Sequence, residues 1–336
     1  MKNLNWIKEN LIEIKDTNIP QLGDNEVLIK VKYAGICNSD ITVIKGKHIS
    51  AKPPVILGHE FSGVVEKSNS KNFNSGDKVV VEPLESCGKC EACVSGSTHV
   101  CRYLKLYGIH KDGGFAEFVK IPDSLIYRLP DDISLLEGAL VEPLSVAIHS
   151  LEISEMKFGD NVLISGAGPI GILCGILARN FGANNVIITD IYNFRLNIAR
   201  KFGMISFNSK QNNDFRAFIN NITDNRGADI CFECSGVQEA INQALDLLAI
   251  KGTLVQVGIG KNNVEIDMKT ITYKEQKIIG TRVYAKGDFN KAIDFMASKK
   301  ENLREIVTNI IKFKDILEAF KLSEKTEESL KILIEL

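Results

Sequence analysis

Residues 161 to 171, NVLISGAGPIG, join a short apolar run to three glycines in the pattern G-x-G-x-x-G, and a helical segment follows at once. In this context Gly166 makes the turn, Gly168 lets the backbone approach a pyrophosphate, and Gly171 lets the helix pack close to the strand. The exposed amides at the start of such a helix bind phosphates. The stretch therefore predicts a dinucleotide-binding turn.

The pattern of apolar and turn-forming residues differs between the two sides of this turn. From about residue 160 onwards, short apolar runs such as NVIITD and GTLVQVG alternate with helical segments, which indicates βαβ units around a parallel sheet. From about residue 25 to 129, β-branched stretches are separated by clusters of Gly, Pro, Asn and Asp, which is typical of a mostly antiparallel, barrel-like domain. We expect the α/β class, with a mostly-β domain and a doubly wound parallel-sheet domain.

A carboxylate follows the next predicted strand, NVIITD, which ends at Asp190, nineteen residues beyond Gly171. An acidic residue near this spacing accepts hydrogen bonds from ribose hydroxyls and repels a 2′-phosphate, so we expect NAD rather than NADP. A helix cap is the alternative role for Asp190. Arg195, five residues later, could stack on the adenine or could weaken the NAD preference by binding a phosphate.

Length and composition limit the possible partners. The 336 residues, 44% of them hydrophobic, suit two domains. A formal net charge of -1 without blocks of like charge disfavours a nucleic-acid or membrane surface and favours small-molecule partners. The N-terminal sequence lacks the apolar core of a secretory signal, and the apolar run at 161–178 contains Pro169 and several glycines. We expect a cytoplasmic protein without a membrane span.

Four cysteines crowd into the segment CGKCEACVSGSTHVC with the spacing C-x2-C-x2-C-x7-C: Cys87, Cys90, Cys93 and Cys101. Zinc binds four thiolates tetrahedrally, and a site closed in this way is structural rather than catalytic. An iron-sulfur cluster and four unligated thiols are the alternatives. A nucleic-acid-binding zinc ribbon is disfavoured, because glutamates and basic residues balance each other around the loop.

A second set of potential metal ligands is scattered along the chain. Cys37 lies in VKYAGICNSD, His59 and Glu60 are adjacent in LGHEFSGVV, and Glu142 precedes a proline in VEPLSV. Taken singly, each has an ordinary explanation as a core thiol, a turn residue or an acid near a helix start. Together they supply the thiolate, imidazole and carboxylates that zinc accepts in catalytic sites.

With these motifs in view, the chain resembles the zinc-containing medium-chain dehydrogenases, in their sorbitol (polyol) dehydrogenase-like branch. The resemblance rests on Cys37 with Ser39 and Asp40, on GHEFSGVV, GGFAEF, VEPLSV and GAGPIG, and on the four-cysteine loop and Asp190. It implies a GroES-like catalytic domain at residues 1–146, completed by 283–336. An NAD-binding Rossmann domain is implied at residues 147–282.

The resemblance also implies roles for the scattered residues. Cys37 and His59 would hold a catalytic zinc together with Glu60 or Glu142, the other glutamate lying nearby or joined through water. Ser39 would relay the substrate proton toward the ribose hydroxyls and His48. The four cysteines would hold a structural zinc, which makes two zincs per chain.

Further positions match the substrate pocket and the cofactor site of this branch. Phe118 and Arg282 match residues that line the polyol pocket, where Ser39 and Glu142 would also meet substrate. The implied cofactor contacts, besides the glycine turn, Asp190 and Arg195, are Ile170, Val257, Gly258, Ile259 and Arg282. Polyol dehydrogenases often carry aromatic residues after the cysteine motif, whereas ITVIKGKH at residues 41–48 has none, so we expect a different pocket.

The expected function is a zinc-dependent oxidoreductase that transfers hydride from a secondary alcohol, such as a polyol or related sugar alcohol, to NAD. Within the same class, L-threonine, 2,3-butanediol and sugar acids (aldonates) remain possible substrates. A non-catalytic zinc-binding structural or regulatory protein is the alternative from another class. The resemblance further suggests a homo-oligomer, either a dimer or a tetramer.

Overall fold

The computed structural model describes residues 1–212, 214–260 and 262–336, which form two compact units. The first comprises Met1–Glu142, Ala285–Lys325 and Lys331–Leu336, and the second comprises Pro143–Tyr284 with Thr326–Leu330. The short segment 326–330 thus leaves the first unit, although the sequence assigned all of 283–336 to one domain. The domain limits at 146/147 and 282/283 stay a prediction.

Strands dominate the first part of the chain, and strands alternate with helices in the second part. The strands are β1 (Lys2–Lys8), β2 (Leu11–Asp16), β3 (Glu26–Gly35), β4 (Val55–Ile56), β5 (Glu60–Ser68), β6 (Lys78–Val81), β7 (Leu84–Glu85), β8 (Lys105–Leu106), β9 (Phe118–Pro122), β10 (Ile126–Arg128), β11 (Asn161–Ser165), β12 (Asn185–Asp190), β13 (Ile205–Asn208), β14 (Ala228–Glu233), β15 (Leu248–Gln256), β16 (Lys277–Gly280), β17 (Val307–Lys312) and β18 (Lys331–Glu335). The α-helices are α1 (Asn38–Ile44), α2 (Glu91–Val94), α3 (Leu135–Gly138), α4 (Val141–Ile153), α5 (Pro169–Phe181), α6 (Asn193–Lys201), α7 (Phe215–Ile222), α8 (Gln238–Leu247), α9 (Met268–Lys274), α10 (Asp288–Ala297) and α11 (Ile316–Ser323). Of the helices in the described ranges, none has both the length and the apolar character that a bilayer crossing requires.

The first unit is built on a sheet with the strand order β10-β6-β5-β3-β18-β17, and β9 also pairs with β3. These pairs are antiparallel apart from β17 with β18. A smaller sheet, β2-β1-β4, and the pair β7-β8 complete the unit. Fully buried Leu57, Phe61 and Phe115 lie in the apolar core between these elements. The mostly antiparallel first domain that the sequence predicted is confirmed.

The register of three neighbouring strands brings distant residues together at one end of this sheet. Gly35, the last residue of β3, pairs with Glu60 of β5 on one side and with Leu333 of β18 on the other. Since side chains alternate along strands, Cys37 and Lys331, each two residues from this row, point to the same face as Glu60. The fold therefore places side chains from the N-terminal and C-terminal parts of the chain around Gly35.

The second unit contains a fully parallel sheet with the order β13-β12-β11-β14-β15-β16. The central strands are buried on both faces, as β11 shows with every residue from Asn161 to Ser165 buried. This is the doubly wound order of dinucleotide-binding folds, in which ligands bind at the carboxyl ends of the strands. The predicted α/β class and the parallel-sheet domain are confirmed.

Candidate functional site

Cys37, His59 and Glu60 form one cluster in the first unit, which we call the mixed-ligand site. Cys37 caps the start of α1, His59 precedes β5, and Glu60 is the first residue of β5. One ligand atom from each residue lies within 4.8 Å of the others, and His59 and Glu60 are buried. A thiolate, an imidazole and a carboxylate match the three-ligand sets of catalytic zinc sites, so the donor chemistry fits the predicted metal.

Two neighbours orient the His59 ring. Asp40 Oδ1 lies 3.4 Å from Nδ1, and Ser39 Oγ lies 3.2 Å from Nε2. Burial alone would lower the pKa of His59, but the Asp40 carboxylate raises it well above the ordinary value. Asp40 also accepts a hydrogen bond from the Cys37 amide at 2.9 Å, so it fixes two of the candidate ligands. Carboxylates beside metal-binding histidines commonly do this, and the x-x-Asp spacing after Cys37 is the signal from which this role could have been read.

Glu60 forms an ion pair with a buried lysine that the sequence analysis missed. Lys331 Nζ donates to Glu60 Oε2 and, at 3.2 Å, to the carbonyl oxygen of Ile36. Burial would lower the pKa of Lys331, but the Glu60 carboxylate and Cys37 raise it above the ordinary value. The signal was a lysine inside the apolar strand KILIE, where a fully buried cation requires a partner.

Glu142 lies in the first turn of α4 and is buried, but its placement differs from that of Glu60. Within the described residues, the group of ligand atoms around Cys37 and His59 includes Glu60 and does not include Glu142. Burial, followed by the neighbouring Glu60 carboxylate, raises the pKa of Glu142 to about 8. A divalent cation nearby would favour its ionised form. The geometry thus favours Glu60 as the direct ligand.

The four-cysteine loop brings its sulfurs together as the spacing predicted. The Sγ atoms of Cys90 and Cys93 lie 3.5 Å apart, those of Cys90 and Cys101 3.7 Å, and those of Cys87 and Cys93 4.0 Å. Sulfurs at about 2.3 Å from one tetrahedral ion would lie about 3.8 Å apart, so the loop fits zinc.

The backbone of this loop is arranged to support thiolates. The amides of Cys87 and Tyr103 each approach Cys101 Sγ at 3.3 Å. Amide donors from Cys93 and Arg102 lower the pKa of Cys90 to about 6, whereas the loss of water around Cys93 raises its pKa to about 11. Backbone hydrogen bonds and desolvation therefore shift the pKa values of two neighbouring thiols in opposite directions.

The glycine turn of the second unit has the geometry that its pattern predicted. Gly166 has a φ of +99°, which a side chain would strain, and Gly168 caps α5. A Cβ on Gly171 would lie 2.0 Å from the Gly166 carbonyl oxygen, so only glycine lets the helix approach the turn this closely. Ile170 follows in the first helical turn and is half-buried.

Asp190 and Arg195 flank this turn. Asp190 accepts hydrogen bonds from the amides of Ala167 at 2.8 Å and Tyr192 at 2.9 Å, so its carboxylate fixes the loops at both strand ends. Arg195 Nε donates to the Thr326 carbonyl oxygen at 2.7 Å. This contact ties the guanidinium to the segment 326–330 rather than leaving it extended into solvent.

A buried carboxylate that the sequence analysis missed organises the other predicted cofactor loop. Glu233 is fully buried, and its side chain accepts from the amides of Ser235 and Gly236 and from Gln256 Nε2. Its carbonyl oxygen accepts from the amides of Val257 at 2.9 Å and Gly258 at 2.7 Å. Ile259, the next residue, is 96% exposed, which leaves its side chain open to a ligand. An acid inside the apolar run ADICFE was the available signal.

The remaining predicted residues lie in separate places. Phe118 is a half-buried residue at the start of β9 in the first unit, and Arg282 is an exposed residue after β16 in the second. His48 Nδ1 accepts from the Ala51 amide at 3.1 Å. Their roles toward substrate and cofactor stay predictions.

Comparison with known proteins gives consistent matches along the whole chain. Residues 23–131 match the family described as the alcohol dehydrogenase GroES-like domain, and residues 169–298 match the family described as zinc-binding dehydrogenase. D-xylulose reductase A from Aspergillus oryzae is 34% identical over 346 residues, covering 99% of this chain and 96% of the relative.

Two solved structures show the same architecture. The structure of 2R,3R-butanediol dehydrogenase from Bacillus subtilis superimposes with a TM-score of 0.93 at 30% identity, covering 100% of this chain and 99% of that one. A zinc-binding dehydrogenase from Sinorhizobium meliloti bound to NADP also has a TM-score of 0.93, at 28% identity and the same coverage. The similarity thus extends over both units.

Proposed function

Since this chain belongs to the zinc-binding alcohol dehydrogenase family, we propose that it transfers hydride from a secondary alcohol, of the polyol or sugar-alcohol class, to NAD. The proposal rests on one observation: Cys37, His59 and Glu60 lie in one cluster. The second unit adds a glycine turn suited to a dinucleotide. The two units therefore supply the two components that such a reaction needs.

The mixed-ligand site would hold the catalytic zinc through Cys37, His59 and Glu60. The chemistry that zinc supplies in such sites is Lewis acidity, which can lower the pKa of a bound water to about 7. Ser39 Oγ, which lies 3.2 Å from His59 Nε2, would relay the proton of an alcohol hydroxyl: it would accept that proton while donating its own hydroxyl proton onward, toward the ribose hydroxyls of the cofactor and His48. Asp40 keeps the imidazole in one orientation while this proton moves.

The four-cysteine loop would hold a second, structural zinc, which gives two zincs per chain. The Sγ separations of 3.5 to 4.0 Å support this assignment over unligated thiols. Zinc is favoured over an iron-sulfur cluster because these separations match one tetrahedral ion.

NAD is the proposed cofactor because Asp190 presents a carboxylate at the end of β12, where it can meet ribose hydroxyls and repel a 2′-phosphate. Arg195 donates to the Thr326 carbonyl oxygen, and a Cβ on Gly168 would lie 3.9 Å from its Nη1, so its guanidinium also lies beside the glycine turn. The Sinorhizobium meliloti structure holds NADP, so both cofactors belong in any assay.

The test is a substrate panel on zinc-loaded protein, with NADH or NADPH formation as the readout. Sorbitol, xylitol, 2,3-butanediol, L-threonine and aldonates represent the substrates open to this chain, including those in the names of its relatives. We expect NAD-dependent oxidation of a polyol, with a Cys37→Ser variant as the inactive control. Absence of turnover with every substrate, despite two bound zincs, would favour a non-catalytic zinc-binding role. Oxidation of only L-threonine, 2,3-butanediol or an aldonate would replace the polyol assignment.

A further inference from the structure

Lys331 is a buried cation at the edge of the mixed-ligand site. Its side chain is 2% exposed, and its ammonium contacts Glu60 Oε2 and the Ile36 carbonyl oxygen, next to Cys37. Lysine is almost never buried without a partner, because removing an ammonium from water is costly. An apolar side chain at this position of β18 would avoid that cost, but it would leave the buried Glu60 carboxylate without its cation. The charge at residue 331 therefore requires an explanation beyond packing.

The backbone makes room for this ion pair. A Cβ on Gly35 would lie 2.1 Å from Glu60 Oε2 and 3.1 Å from Lys331 Nζ. Gly35 pairs with Glu60 in one neighbouring strand and with Leu333 in the other. Glycine inside a strand often marks a close approach, and here the approaching groups are the two charged side chains. The pair thus has a built position between three strands.

The ion pair also divides the two oxygens of Glu60. Because Oε2 accepts from Lys331, Oε1 is the oxygen that a metal could use without competing with the lysine. Lys331 also changes the net charge around the metal position. Cys37 as a thiolate, Glu60 and Glu142 would together place three negative charges around a divalent ion, and Lys331 offsets one of them.

We propose that Lys331 is a positioning residue. It restrains the Glu60 side chain so that only one of its oxygens is offered to the metal. The ion is then held loosely enough to accept a substrate oxygen. This inference rests on the proposed zinc site at Cys37, His59 and Glu60. Without Lys331, Glu60 is free to offer both oxygens, and one positive charge near the ion is gone. Both changes hold the metal more tightly, which is the opposite of what simple damage to the site would do.

The experiment compares the full-length protein with Lys331→Met, which keeps the length but not the charge, and Lys331→Arg, which keeps the charge. Zinc release to a chelator is timed, and cobalt-substituted protein is examined by visible absorption. Cys37→Ser identifies the release phase and cobalt bands of the mixed-ligand site, because the four-cysteine loop remains in that variant. We expect Lys331→Met to release zinc on the order of 10-fold more slowly, since it removes a like charge beside the ion.

The cobalt spectrum distinguishes a positioning role of Lys331 from a purely structural one, because a purely structural role would leave the spectrum unchanged. In Lys331→Met the bands of the mixed-ligand site should weaken and shift, as expected for a more crowded coordination, while Lys331→Arg should resemble the unmodified protein. Should Lys331→Met fail to fold, Lys331→Gln supplies a neutral donor and should give a smaller change in the same direction. Faster zinc release, or an unchanged spectrum and release rate, would overturn the proposal.

The same measurements separate this inference from the proposed function. If Cys37→Ser leaves the zinc content and the cobalt spectrum unchanged, there is no metal at the mixed-ligand site, and both proposals are wrong. If Cys37→Ser removes one zinc but Lys331→Met behaves like the unmodified protein, only the role of Lys331 is wrong.

Discussion

The four-cysteine loop and the mixed-ligand site are two clusters of potential metal ligands in one unit, built in opposite ways. The loop takes its four ligands from residues 87 to 101, and three of its cysteines are half-buried. The mixed-ligand site joins the end of β3, the start of β5 and, through Lys331, the start of β18. A local loop depends on its metal for its shape, whereas a site set by sheet register is held by the protein core. The difference predicts different consequences of losing each metal.

The largest expected effect is on turnover when the mixed-ligand site loses a ligand. Cys37→Ala should lower kcat by at least about 10⁴-fold, because zinc contributes several pKa units of activation, each worth about 1.4 kcal/mol. Thermal unfolding should change little, since β3, β5 and β18 keep their pairing. Turnover, zinc content and melting temperature are measured together.

Cys90→Ala is the matched control in the four-cysteine loop. It should affect stability more than turnover, the reverse of Cys37→Ala. Of residues 87–101 only Cys101 is buried, so we expect faster proteolysis within this segment and a lower melting temperature once the metal is lost. Below that temperature, kcat should fall by less than about 10-fold, because no loop thiol belongs to the mixed-ligand site. If Cys90→Ala abolished turnover while leaving the loop resistant to protease, the assignment of the two clusters would have to be exchanged.

An intermediate effect is expected from Ser39, which contacts the mixed-ligand site without belonging to its ligand set. Ser39→Ala should lower kcat by about 10²-fold, the usual contribution of a positioned proton-transfer group. Zinc content should stay the same, because the grouped ligand atoms come from Cys37, His59 and Glu60 and not from Ser39. Ser39→Thr retains the hydroxyl and should recover most of the rate. Equal turnover in Ser39→Ala and the unmodified protein would exclude Ser39 from proton transfer.

The two clusters also differ in how far the sequence alone predicts them. Sulfur spacing sufficed for the loop, because ligands within one short segment are brought together by local turns. Their chemistry marked Cys37, His59 and Glu60 as possible zinc ligands, but only the family resemblance assigned them to one site, since 22 residues separate Cys37 from His59 and only sheet pairing joins them. Lys331 was missed for the same reason, as it lies 271 residues from Glu60 in the chain.

The dinucleotide turn repeats this contrast in the second unit. Gly166 and Gly171 were predicted individually, because the left-handed φ of Gly166 and the close approach at Gly171 both arise within one strand, turn and helix. The contact of Arg195 was not, because Thr326 comes from a distant segment whose return to the second unit has no local signal. Glu233 could be seen as an acid in an apolar run, and its partners Ser235 and Gly236 are local, but its contact with Gln256 depends on the pairing of β14 with β15.

The smallest effect expected is from one methyl group at Gly35, and it tests whether sheet register determines the mixed-ligand site. In Gly35→Ala the new Cβ would collide with Glu60 Oε2, 2.1 Å away, so Glu60 and Lys331 must shift. We expect about 1–3 kcal/mol lower stability in chemical denaturation, as for other overpacked sites, and altered cobalt bands from the mixed-ligand site. Gly280→Ala is the control: it also lies in a strand, and its Cβ would meet nothing within 4 Å. The cobalt signal of the four-cysteine loop should stay constant in both variants, because that loop shares no strand with Gly35. A spectrum that moves equally in both variants would mean that strand glycines in general, rather than the space between Glu60 and Lys331, determine the site.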